Sequence, residues 1–174
     1  MLAFVSGTTS SGTSGSITMG TGTAVNGKGG DMILSVGAGN TGHGGDIQLL
    51  GGENSDKTGG AVSLSTGYGS TTTSGVIVFQ TMNAGTTGTS GMLAFSSGTT
   101  SCGASGSISV STGSATGGEG GDILVNVGSS STNNGGDVIV RGGDSTPLTG
   151  GAISVTTGEG GATSSGAFVV RSVN

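Results

Sequence analysis

Apolar side chains recur along this chain in pairs two residues apart, and each pair follows a glycine. The phrase is clearest at Gly45-Asp46-Ile47-Gln48-Leu49-Leu50-Gly51-Gly52. Its leading glycines stand fifteen residues apart at Gly15, Gly30, Gly45, Gly60 and Gly75. After one sixteen-residue step to Gly91 the spacing resumes at Gly106, Gly121, Gly136, Gly151 and Gly166. Counting each repeat from its glycine, position 3 reads Leu2, Ile17, Met32, Ile47, Val62, Ile77, Leu93, Ile108, Ile123, Val138, Ile153 and Phe168. Position 5 reads Phe4, Met19, Leu34, Leu49, Leu64, Phe79, Phe95, Val110, Val125, Val140, Val155 and Val170. Neither column holds a polar residue. Position 8 is glycine in ten of the twelve repeats, and positions 9 to 14 are mainly Ser, Thr, Asn, Gly and Ala.

Alternation with a period of two is the signature of a strand with one buried face. Segments of about six residues between glycines are too short for helices. Every segment carries the same phrase in the same direction, which a hairpin meander would not require. The pattern therefore predicts an all-β fold, a single-stranded parallel β-solenoid of about fifteen residues per turn and about twelve rungs. Positions 3 and 5 would form its internal ladder, with like residues stacked about 4.8 Å apart. The Gly-Gly or Ser-Gly pair at positions 15 and 1 would form a corner, where positive φ costs glycine little.

A longer period overlies the first. Met1-Leu2-Ala3-Phe4 returns as Met92-Leu93-Ala94-Phe95, and position 7 repeats as Ser6, Thr21, Val36, Gly51 and then Ser97, Thr112, Val127, Gly142. The chain thus reads as two six-rung modules, 1–91 and 92–174, continuous with one another. Leu2 and Phe4 at one end and Phe168 and Val170 at the other are expected to be bare, and to stack head to tail on further copies.

Composition changes this picture in one respect. The 174 residues include 42 glycines and 1 proline, and 7% are charged. Taken alone, these values describe a low-complexity, disordered chain. The two apolar columns argue against that. The net charge of −5 is thinly spread and carries no basic stripe, so nucleic acid is not an expected partner. No apolar run approaches a membrane helix, and no charged leader precedes the first repeat. Cys102 is the sole cysteine, so no intrachain disulfide can form.

Candidate chemistry is sparse. Asp31 and Asp46 share position 2 of consecutive repeats, as do Asp122 and Asp137. Stacked in register, each pair would lie within about 5 Å and could share a cation such as calcium. The competing reading is carboxylates that accept backbone N–H bonds at the corner. His43 and Tyr68 are singletons in loops, and one His and one Cys cannot assemble a nucleophilic constellation. The glycines precede no helix, as a phosphate loop requires. No enzyme, and no cofactor beyond the candidate calcium, is expected.

Three resemblances follow from these phrases. Gly67-Tyr68-Gly69-Ser70-Thr71-Thr72-Thr73 resembles the repeat of bacterial ice-nucleation proteins, although Gly158-Glu159-Gly160 lacks the tyrosine. Gly44-Gly45-Asp46 resembles calcium-binding RTX repeats, whose period is nine. The whole chain is similar in style to Gly/Ser/Thr-rich β-solenoid adhesins and repetitive surface proteins. That likeness implies the fold more than the function. Continuous ladders, bare ends and low charge predict a structural role: a subunit or segment of an extracellular or cell-surface fibre or scaffold that assembles with itself. An ice-binding or adhesin-type binding module is the alternative. A threonine ladder on an outward face would favour it, but positions 4 and 6 read Thr18/Gly20, Ile33/Ser35 and Gln48/Leu50. A β-helical polysaccharide-cleaving enzyme would need wider turns and clustered carboxylates.

Overall fold

The computed structural model describes residues 2–146 and 148–172. Among them there is neither helix nor strand, and the chain is largely irregular coil. The expected parallel β-solenoid is therefore corrected. A solenoid needs each turn's backbone N–H and C=O groups bonded to the turns above and below. The backbone–backbone bonds among the described residues are instead local, within single loops. Gly60 donates to Gly52 at 2.8 Å, Gly75 to Gly67 at 3.3 Å, Gly88 to Gly85 at 3.4 Å, Gly151 to Gly143 at 2.8 Å and Gly166 to Gly158 at 3.0 Å. A folded domain carries about one hydrogen bond per residue.

The physical cause lies in the same composition that made the repeat legible. Each repeat offers its two apolar columns and at most a few further large apolar side chains for fifteen residues, and glycine loses more freedom than any other residue when it is fixed. No described residue is buried. The chain exposes 17262 Å². A folded monomer of 16.1 kDa exposes roughly 7,400 Å², and the unfolded chain roughly 23,000 Å². The alternation of Ile47 and Leu49 thus marks a repeat without making a strand.

What the fifteen-residue period does specify is a series of turns. The backbone bends at 10–12, 25–27, 40–42, 55–57 and 70–72, turns at 86–87, and bends again at 101–103, 116–118, 131–133 and 161–163. Short polar side chains hold several of these bends. Thr9 Oγ1 accepts the Ser11 N–H at 3.2 Å and donates to the Ser11 carbonyl at 2.7 Å. Thr100 repeats both bonds with Cys102 at 3.3 and 3.0 Å. Asn54 Oδ1 accepts the N–H groups of Asp56 and Lys57 at 2.9 and 2.6 Å. These are Asx- and ST-type turns, in which a side-chain oxygen replaces a missing backbone partner. Gly12 and Gly103, at the same place in the two halves, take φ of 93° and 107°.

The corner expected at positions 15 and 1 is also corrected. None of the leading glycines has positive φ. Their role is to let two parts of the chain cross. A Cβ on Gly30 would lie 3.5 Å from the Thr21 side chain, one on Gly75 3.1 Å from Thr66, and one on Gly121 3.5 Å from Thr112. On Gly45 and Gly136 it would come within 2.7 and 2.6 Å of Val36 Cγ1 and Val127 Cγ1. Position 7 thus lies over the next leading glycine and pinches off the loop between them. Thr21 Oγ1 strengthens one pinch by donating to the Gly30 carbonyl at 3.0 Å.

Where position 7 is itself glycine, the backbones close further. A Cβ on Gly51 would fall on the Gly60 carbonyl, and one on Gly142 on the Gly151 carbonyl. These two pinches carry the 2.8 Å neck bonds. Gly51→Val should accordingly open the neck, with the Gly60 amide losing whatever exchange protection it has while Gly151 keeps its own. Equal exchange at Gly60 before and after the substitution would show that the neck does not form. Gly45→Ala should likewise remove the nuclear Overhauser contact between the Val36 methyls and the residue 45 backbone. Adding Val36→Ala should restore the approach, read from backbone contacts between 36 and 45.

The chain divides into two units, Met1–Gly91 and Met92–Asn174. Pinches and bends recur at equivalent places within each.

Candidate functional site

With no enclosed site among the described residues, the surface that could act is apolar. Its members differ in shielding by position. Position 3 is the more sheltered column: Ile47 is 50% exposed, against 83% for Leu50 three residues later. Ile17, Met32, Ile77 and Ile108 are similarly half-exposed, while most position 5 residues are more open. The period-two pattern therefore survives as a difference in exposure, without a strand.

Val36 and Val127 are the residues that inspection of the columns missed. At 48% and 45% exposed they are among the most sheltered large apolar side chains, because each packs over the next leading glycine, Gly45 or Gly136. The available signal was a β-branched apolar residue at position 7 of the third repeat in both halves.

The expected assembly ends, Leu2, Phe4, Phe168 and Val170, are exposed. Leu2 at 82% and Phe168 at 67% are the most open residues of position 3, Val170 at 79% is the most open of position 5, and Phe4 matches Met19 at 74%. A shallow open groove of about 480 Å³ runs beside Phe4, Val5, Ser6, Gly7, Thr8 and Ile17.

Asp31 binds Lys28, with Nζ 2.7 Å from Oδ1 and 3.0 Å from Oδ2. Both side chains are exposed, so the pair adds little stability. Its counterpart Asp122 follows Glu119 at the same spacing, where no such pair can form. The juxtaposition of Asp31 with Asp46 and of Asp122 with Asp137 depended on in-register stacking, and no ladder sets that register. Among the described residues no group of three or more His, Cys, Asp or Glu side chains is placed to hold a metal ion. Arg141 lies 3.6 Å from Asp144, again on the surface. Cys102 is a free, exposed thiol.

No helix among the described residues is long and apolar enough to cross a membrane. Comparison with protein-family models, curated proteins and solved structures returns no match to this chain.

Proposed function

We propose that this chain is structural repeat material, a self-associating segment of an extracellular or cell-surface scaffold. The observation that carries the reading is the unburied apolar surface. A chain stays dissolved and disordered when it is weakly hydrophobic and strongly charged. Here mean hydropathy is +0.15 and 7% of residues are charged. Thirty per cent are hydrophobic, and the large ones lie open to water. Apolar surface removed from water is worth about 25 cal/mol per Å², and a second copy of the same columns is the most closely matched surface to cover it. Two half-chains with the same phrases give each copy several equivalent contact registers, which suits an extended material more than a fixed dimer.

The test is light scattering on a dilution series of the purified chain. The reading expects a threshold concentration above which particle mass grows without a fixed stoichiometry. Monomers at every concentration would overturn it. Inhibition of ice recrystallisation by such monomers would favour the binding-module reading instead.

A further inference from the structure

We propose that Asn26 and Asn134 are sites of spontaneous, self-catalysed modification, at which this chain acquires new carboxylates as it ages. Both precede a glycine, Gly27 and Gly135. Asn26 lies within the bend at 25–27, and Asn134 directly follows the bend at 131–133. Both asparagines are exposed, and neither carboxamide makes a hydrogen bond among the described residues. A Cβ on Gly27 or Gly135 would meet nothing within 4 Å, so no neighbouring group crowds the glycine whose nitrogen attacks.

The reaction needs no partner but water. The amide nitrogen of Gly27 attacks Cγ of Asn26 and gives up its proton. The bond from Cγ to the side-chain nitrogen breaks, and ammonia leaves. The resulting five-membered imide adds water at either carbonyl and opens to aspartate or isoaspartate. Nothing is oxidised or reduced. Asn54, Asn40 and Asn126 are placed less well for it. Asn54 has its side-chain oxygen held by the Asp56 and Lys57 N–H groups. Asn40 and Asn126 precede the β-branched Thr41 and Val127, which resist the backbone rotation that attack requires.

Each conversion adds one negative charge to a chain whose formal net charge is −5. At residue 26 the new carboxylate would lie two residues from Lys28, where it would compete with Asp31. Any weakening of assembly rests on the self-association reading. The chemistry itself does not.

The experiment is to incubate the full chain at mildly alkaline pH and map its peptides by mass spectrometry with isoaspartate detection. Conversion at Asn26 and Asn134 should run about tenfold faster than at Asn40 and Asn126, a barrier difference of about 1.4 kcal/mol. Gly27→Val should slow residue 26 to the pace of Asn126 and leave residue 134 unchanged. Equal rates at all four sites, or an unaltered rate at Asn26 in the Gly27→Val chain, would overturn the proposal. If the modified chain assembles at the same threshold as the fresh chain, the modification stands and only its link to assembly fails.

Discussion

Replacing Ile47, Ile77 and Ile108 together by aspartate should raise the threshold for assembly by about a hundredfold or more. All three belong to the more sheltered apolar column and are about half-exposed in the single chain. Covering the remainder of an isoleucine is worth about 1 kcal/mol, and a carboxylate buried in its place has no partner. Since each 1.4 kcal/mol is a factor of ten in concentration, three such changes reach two decades or more. The control is Thr71, Thr72 and Thr73 replaced by aspartate, which adds the same charge in a polar loop. Light-scattering thresholds for the two variants separate the effects. Similar shifts in both would mean that net charge governs association and the column does not.

The second large effect concerns pH. Nine acidic residues against four basic ones leave the chain negative at neutral pH, and its isoelectric point is about 4.3. Lowering the pH toward that value protonates carboxylates, removes the mutual repulsion of copies and leaves the apolar columns unchanged. The threshold should fall several-fold between neutrality and the isoelectric point. Salt should act in the same direction. Near 1 M the Debye length is about 3 Å, so repulsion is screened while apolar association persists. Assemblies that dissolve on adding salt would indicate ionic contacts of the Lys28–Asp31 kind between copies.

How much of this could be read from the chain itself differs between its parts. The fifteen-residue period was legible and reappears as the bends at 25–27, 40–42 and 55–57. The columns were expected to be buried alike, whereas neither is buried and position 3 is the more sheltered, Ile47 at 50% against Leu49 at 68%. The strand was not legible, because alternation states which side a strand would bury and not whether burial outweighs ordering. With Gly51, Gly52, Gly59 and Gly60 bracketing one short loop, the backbone has more freedom to lose than Leu49 and Leu64 can offset. The role of the leading glycines was misread for a related reason. Glycine serves both positive φ and close approach, and only the placement of Val36 against Gly45 distinguishes the two. The closeness expected of the aspartate pairs was inherited from the ladder, and the described residues hold no strand to set it. Asp31 finds Lys28 instead, a neighbour along the chain.

The central proposal is that the large side chains of position 3 are about half-exposed in the single chain and become covered when copies associate. Solvent paramagnetic relaxation of the Ile17, Ile47 and Ile77 methyls, measured below and above the assembly threshold, tests it most directly. The methyls should be strongly relaxed by a soluble probe in the dilute chain and protected in the assembled one. Protection of all three in the dilute monomer would reveal an internal core and contradict the account.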